Sequence, residues 1–297
     1  KGLTKLVLER SGIDTPRAEL VTSRNLTKVC QSGPRLAFPV IIKPNYEGSS
    51  KGIGDNSVVR SLDELAVSLK SAIKAFPDGV IIEEYNEGVD DAVGYVNGDG
   101  HDNGLLQPVE AIYDLTTADS FSIYDFRRQN LEPGSVHLRC PANVPRDVAA
   151  RLRALSLEAI EILGLHDLAR LDYSISSDGR IFLLEANALP SLAKDSSIFD
   201  ATTQHGMSYE ATVASILNSA ASRGNGATAI ERGMRRKKRG RHRPIQVGFT
   251  YNVKRETGGD EQAEWDPPET IIAISNALAR QGHIVVHLEA TQDLPRV

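Results

Sequence analysis

The stretch Ala169-Arg-Leu-Asp-Tyr-Ser-Ile-Ser-Ser-Asp-Gly-Arg-Ile-Phe-Leu-Leu-Glu-Ala-Asn187 decides how the rest of the chain is read. Two short apolar runs flank Asp178 and Gly179, a dipeptide favoured in tight hairpin turns, so the stretch predicts an antiparallel pair of strands. Alternate side chains on a strand share a face, which groups Arg170 with Asp172 and Glu185 with Asn187. Across the pair all four can converge. Two carboxylates and a carboxamide make an all-oxygen ligand set, suited to Mg2+ or Mn2+ bridging polyphosphate oxygens and poorly suited to Zn2+. Ordinary polar residues on the open face of an antiparallel pair would leave the same pattern, so other segments must choose between the two.

Upstream, Pro39-Val-Ile-Ile-Lys-Pro44 reads as a buried strand that runs into the turn-rich loop Asn45 to Asn56. Lys43 ends that strand, where an ammonium is costly unless an anion pairs with it, and the adjoining Glu-Gly-Ser-Ser-Lys-Gly-Ile-Gly run offers backbone N–H groups. Together they can cradle phosphates, although the spacing is not that of a Walker A loop. Val80 to Tyr85 is a further buried-looking strand. At its end, Glu83, Glu84 and Tyr85 carry backbone groups able to read an adenine edge. Asp90 follows where a carboxylate can take ribose hydroxyls.

The remaining pattern is mixed α/β. Leu3, Leu6, Val7 and Leu8 fall largely on one stripe of a short helix over 3–11, with Gly12 as its expected C-cap. Residues 18–23 are strand-like and a loop is expected from there to Pro39. Ser61 to Glu64 has capping-box spacing ahead of a helix that ends near Phe76. Strands dominate to about Ala111, residues 114–135 read as a long loop, 146–163 has a strong 3.6-residue period, and a helix is expected around 208–220. Composition then shifts to the small, polar and basic stretch Ala221 to Arg243, a linker without aromatic platforms. Beyond it Ile245–Tyr251, Pro268–Arg280 and Ile284–Leu288 read as strand, helix and strand, the start of a βαβ unit.

The 297 residues are 40% hydrophobic and 25% charged, which is enough to bury a core. A net charge of −5 argues against a nucleic-acid footprint over the whole protein. No apolar run approaches the ~20 residues that span a bilayer. Cys30 and Cys140 lack metal-ligand spacing and suit a reducing compartment. The chain starts at Lys1 without a leader, so a cytoplasmic location is expected.

Taken in order, Val-Ile-Ile-Lys-Pro-Asn-Tyr-Glu-Gly-Ser-Ser-Lys-Gly, Ile-Ile-Glu-Glu-Tyr-Asn-Glu-Gly-Val-Asp-Asp and the opening hairpin resemble the ATP-grasp enzymes, and within them D-alanine–D-alanine ligase. The resemblance runs over about residues 1–220 and includes Lys1 with its helix and Cys140-Pro-Ala142. It implies an α/β (α+β) ATP-grasp fold with antiparallel sheets flanked by helices, followed by a partial βαβ unit at the C-terminus. It implies a central domain over 1–112, a C-terminal catalytic domain over 113–222, a basic linker over 223–243 and a partial N-terminal-type domain of a second ligase-like unit over 244–297. A circularly permuted ligase is the other way to place that tail.

By the same resemblance, Lys1 and Lys43 bind nucleotide phosphates, Glu83 and Tyr85 the adenine, and Asp90, where the family usually has Glu, the ribose. Asp172, Glu185 and Asn187 hold two Mg2+ ions. Ser49 and Ser50 lie on a small loop that closes over substrate, Arg170 stabilises the transferring phosphoryl group, and Ser196 meets the carboxylate of the second amino acid. The implied reaction is ATP-dependent amide formation through an acylphosphate. The implied partners are amino acids or small peptides, with a homodimer as the expected assembly, and neither nucleic acid nor membrane. Two departures stand out. The long loop reads Ile-Tyr-Asp-Phe-Arg-Arg-Gln-Asn-Leu at 123–131, so Arg127 or Arg128 stands in for the family's loop lysine and Asn130 or Leu131 for its tyrosine. Ser191 replaces a common glycine.

Overall fold

The computed structural model describes residues 1–54, 56–98, 102–113, 136–224, 244–255 and 262–290. The long loop expected over 114–135, with Arg127, Arg128, Asn130 and Leu131, lies outside these residues, as does the basic run 235–243. By packing, the chain divides into two units. The first comprises Lys1–Val93, Val109–Gly164 and Leu171–Ala186; the second comprises Gly94–Pro108, Leu165–Arg170 and Asn187–Val297.

The first unit opens with α1 (Gly2–Arg10), β1 (Ala18–Val21), α2 (Leu26–Ser32), β2 (Val40–Pro44), β3 (Val58–Val59), α3 (Leu62–Ala75) and β4 (Val80–Glu84). The strands form an antiparallel sheet of order β1-β4-β2-β3, in which Ile42 lies opposite Ile82 and Lys43 opposite Ile81. Alternation along β2 and β4 sends Val40, Ile42, Val80 and Ile82 to one side, where Leu65, Leu69 and Ile73 of α3 meet them in an apolar core. The cap forms in a shifted version of the expected box: Ser61 Oγ accepts from Glu64 N at 3.3 Å, while Glu64 Oε2 accepts from Arg60 N, one residue before the cap, at 2.7 Å.

Next come β5 (Gly88–Val96), β6 (Val109–Tyr113), β7 (Val136–Arg139), α4 (Arg146–Leu163), β8 (Leu168–Ser176) and β9 (Ile181–Asn187). They build a five-stranded sheet of order β7-β6-β5-β8-β9. The opening hairpin is β8–β9; its turn closes with Gly179 N donating to Ser176 O at 2.9 Å, and Gly179 takes φ 79°, which a side chain would resist. Gly88 is needed for a different reason. A Cβ there would sit 2.6 Å from both Ile175 O and Ser174 Oγ, so only glycine lets β5 start this close to β8.

The second unit holds α5 (Ser197–Gln204), α6 (Tyr209–Gly224), β10 (Gln246–Tyr251), α7 (Pro268–Arg280) and β11 (Ile284–Glu289). Strands β10 and β11 pair in parallel, from Gln246 opposite Ile284 to Tyr251 opposite Glu289, with α7 as the crossover between them. Val213 of α6 packs with Ile274, Ala277 and Leu278 of α7, and Val247, Phe249 and Val285 cover that cluster from the strands. The expected βαβ start is therefore present and shares a core with α6.

Three local readings are corrected. The segment expected to be a loop before Pro39 contains α2, held by the burial of Val29 against Leu65 and Leu69 and not by a side-chain cap. No element is expected from the sequence over α5; its buried Ile198, Phe199, Ala201 and Thr202 give it a packed face. In α1 the apolar stripe is split. Leu8 and Lys5 are buried while Leu3, Leu6 and Val7 are exposed, because residues three apart share a helical face and neighbours lie about 100° apart. The cap of α1 is Ser11, with Gly12 following at φ 86°. Both cysteines are free, and among the described residues no helix is long and apolar enough to cross a membrane.

Candidate active site

The first unit gathers most of the charged residues singled out above. Glu83 lies near the end of β4 and is only 1% exposed. Its two oxygens face one lysine each: Lys43 Nζ from β2 donates to Oε2 at 2.7 Å, and Lys5 Nζ from α1 is ion-paired with Oε1 at 3.2 Å without hydrogen-bond geometry. Lys5 also donates to Thr15 Oγ1 at 2.8 Å. Burial alone would raise the Glu83 pKa, but the two ammonium groups outweigh it and hold this carboxyl below the ordinary range. Burial would likewise lower Lys43, yet Glu83, Glu185 and Asp90 together push it above its usual value. Lys5 ends lower than an ordinary lysine, with desolvation as the main cause. The sequence missed Lys5. The available signal was its spacing, three before the buried Leu8 and four after Lys1, which marks the inward face of α1.

Lys1 sits at the start of α1. Its Nζ pairs with Glu185 Oε1 on β9 at 2.9 Å and also donates to Glu47 O. Glu47, Ser50, Lys51, Lys1 and Glu185 line one small cleft of the first unit. Ser49 and Ser50 on its loop have φ 46° and 55°, a left-handed conformation that non-glycine residues seldom adopt and that is found where function fixes the backbone. Gly52 supports this loop: a Cβ on it would come within 2.6 Å of the Phe76 ring and 2.7 Å of Pro44. Tyr85 packs against Ile41, Val58 and Ile53, on the opposite side of the sheet from the α3 core.

Asp90 on β5 accepts from Tyr113 Oη at 2.5 Å. Burial drives its pKa up to about 6; the Tyr113 hydrogen bond and Lys43 oppose the rise, and the charge of Asp172 adds to it. Asp172 and Glu185 are half-buried on β8 and β9. Their face alternates with the buried Leu171, Tyr173 and Leu183 as the hairpin pattern required. Arg170, Asn187 and Ser196 fall in the second unit. Within it Ser196 precedes α5, and its shielded Oγ has no hydrogen-bond partner among the described residues, a hydroxyl still able to engage a ligand. Among the described residues no three His, Cys, Asp or Glu side chains are grouped to hold a metal. Of the expected set, the first unit holds the two acids, Asp172 and Glu185. That all-oxygen chemistry fits a hard divalent ion whose remaining positions are filled by phosphate or water.

One more acidic pair was not foreseen. Asp91 faces away from Asp90 along β5, is 2% exposed, and lies opposite Glu110 on β6. Glu110 is satisfied by Arg139, whose Nε donates at 3.0 Å, and by Asn143 N at 3.0 Å. Among the described residues neither oxygen of Asp91 has a hydrogen-bond partner. Burial, and then the charges of Glu110 and Asp90, lift its pKa to about 7 against the pull of Arg139.

Two antiparallel sheets flanked by helices, with Lys43 and Glu83 on the first and the acid-bearing hairpin on the second, define the class as an ATP-grasp fold. The family model of the D-ala D-ala ligase C-terminus matches residues 7–218, and the chain belongs to that family. Among curated relatives, the D-alanine–D-alanine ligase of Mycolicibacterium gilvum is 32% identical over 228 residues, 76% of this chain and 60% of its own length. That of Maridesulfovibrio salexigens is 29% identical over 217 residues, 73% of this chain and 66% of its own length. The chain thus spans under two thirds of each of these two relatives. In fold it is similar to the D-alanine–D-alanine ligase from Bacillus anthracis complexed with ATP, with TM-score 0.57 and 20% identity over 79% of this chain and 68% of that one. It is likewise similar to the VanG D-Ala:D-Ser ligase from Enterococcus faecalis, with TM-score 0.59 and 19% identity over 73% and 60%.

Proposed function

We propose that the chain is the nucleotide-binding and catalytic part of an ATP-dependent carboxylate–amine ligase that forms a dipeptide or related amide, with D-alanine as one candidate substrate. The observation that carries this reading is the field made by Lys1, Lys5 and Lys43 around the single buried Glu83, next to Asp90 and Glu185. Three ammonium groups in one place suit a polyphosphate far better than any neutral ligand. Lys43 and Lys1 would hold phosphate oxygens. The end of β4 would present its backbone to adenine beside Tyr85, and Asp90 would accept from ribose hydroxyls. The Glu83 side chain is taken up by its lysines, so the adenine contact at this position would come from its backbone.

Asp172, Glu185 and Asn187 would hold Mg2+ or Mn2+, which when bound neutralises phosphate charge and orients the γ-phosphoryl group. Ser49 and Ser50 would close over the transferring group and exclude water. Arg170 would stabilise the charge that develops on it, and Ser196 would orient the carboxylate of the second substrate. A substrate carboxylate oxygen would attack the γ-phosphorus and ADP would leave. An amine would then displace phosphate from the resulting acylphosphate and lose its proton to solvent. Domain boundaries near 112 and 222, and the second ligase-like unit begun by the tail, belong to the same reading, as do the possible homodimer and a cytoplasmic site of action.

The test is phosphate release from Mg-ATP by the full-length protein against D- and L-amino acids, singly and in pairs. Release that depends on amino acids, with a matching amide product, is expected. Nucleotide binding with no release under any pair would replace the ligase reading by a regulatory one. Asp172→Asn removes one anionic metal ligand and keeps the shape, so turnover should fall about 1,000-fold while the melting temperature holds within about 2 °C of the parent. Unchanged turnover would sink the metal assignment.

A further inference from the structure

Glu83 has two oxygens and two lysines, and the two lysines differ. Lys43 comes from the strand edge, and its side chain is 16% exposed. Lys5 comes from inside α1, with a side chain 6% exposed, and is tied a second time to Thr15 Oγ1 at 2.8 Å. Lys43 is the more solvent-accessible of the two, and Lys5 alone has the second tie. A carboxylate 1% exposed cannot be left without a counter-ion, because a bare charge in the core costs several kcal/mol. If Lys43 were the only partner of Glu83, turning it toward an anionic ligand would carry that penalty. With Lys5 in place, Glu83 stays neutralised and the positive charge of Lys43 is surplus.

We propose that Lys5 is a positioning residue: as the resident counter-ion of Glu83, it leaves Lys43 free to bind a phosphate of the nucleotide. This rests on the reading of Lys43 as a phosphate ligand. Lys5 itself touches no ligand. Removing Lys5 therefore locks Lys43 onto Glu83, and removing Glu83 together with Lys5 releases it again, since a neutral pair asks nothing of Lys43.

The experiment is ATP affinity, measured by titration calorimetry with Mg2+ present, for the full-length protein and for Lys5→Met, Lys5→Arg and Lys5→Met/Glu83→Gln, with melting temperatures alongside. Lys5→Met should weaken ATP binding about 10-fold or more. Lys5→Arg, which keeps the charge, should recover most of it, and the double variant should return to within about threefold of the parent. The double variant buries no unpaired charge, so it decides the matter even where Lys5→Met does not fold. If it binds ATP more than about 10-fold worse than the parent, the ion pair itself orients Lys43 and the proposal is overturned. A merely structural Lys5 would lower the melting temperature of Lys5→Met and leave its ATP affinity unchanged, which also overturns it. A parent protein that binds no ATP would remove the phosphate reading together with this one; loss of the inference alone shows as a parent that binds ATP with variants that do not follow the pattern.

Discussion

The Lys5–Glu83–Lys43 cluster and the α6–α7 core are both well buried, yet they are built in opposite ways. Around Ile274, Ala277, Leu278 and Val213 the contacts are apolar and non-directional, and the one ion pair at the edge, Arg280 with Glu210 at 2.7 Å, is solvent-exposed. Around Glu83 the stabilisation depends on three charges holding each other at 2.7 and 3.2 Å. An apolar core degrades gradually when trimmed. A buried ionic cluster fails when one member is lost, because the remainder is uncompensated. A chain meant only for stability would use the first design throughout, so the second is the one that fits the proposed nucleotide site.

The contrast can be broken most sharply at Glu83. Glu83→Ala leaves two ammonium groups facing each other in the core and should cost about 4 kcal/mol, seen as a lowered urea midpoint. Ile274→Ala should cost about 3 kcal/mol through a cavity in the second unit, and ATP affinity should not change. If ATP affinity did fall with Ile274→Ala, the separation of the two designs would be wrong.

Asp91→Asn sharpens the comparison through pH. The folded state holds the Asp91 proton up to about pH 7, whereas the unfolded chain releases it near the ordinary value of 3.8. The native state thus binds more protons between those values, and stability falls as pH rises through the window. Asparagine removes that cost, so the variant should gain about 2 kcal/mol over the parent at pH 8 and almost nothing at pH 4, in paired denaturant titrations. An equal gain at both pH values would mean that the Asp91 proton is not involved. The smallest effect should come from Arg280→Ala: about 0.5 kcal/mol or less, further reduced by salt, because the pair is exposed.

Much of this was legible in the residues. The hairpin β8–β9, the strands ending at Lys43 and Glu84, the helix Arg146–Leu163 and the tail βαβ follow from period, turn chemistry and capping, all of which act over a few residues. The family resemblance placed Lys1, Lys43, Asp90, Asp172 and Glu185, and the first unit brings these charges into one electrostatic neighbourhood. Lys5 was not legible, because a lysine on a short helix reads as solvated until its helical face is known to be the inward one. Nor was Asp91, since strand alternation beside Asp90 says that the two face opposite ways without saying which side is covered.

The sequence by itself determined the order of the elements, the oxygen-rich hairpin and the family, since each depends on local spacing or on motifs kept in line. Only the tertiary structure decided that Glu83 carries two lysines, that α1 turns Lys5 and Leu8 inward while Leu3 faces solvent, that Asp91 is buried without a hydrogen-bond partner among the described residues, and that the tail shares a core with α6. The reason is physical. Local geometry is fixed by neighbours a few residues away, whereas the charge state and burial of a side chain are set by groups that are distant in the chain and adjacent only after folding.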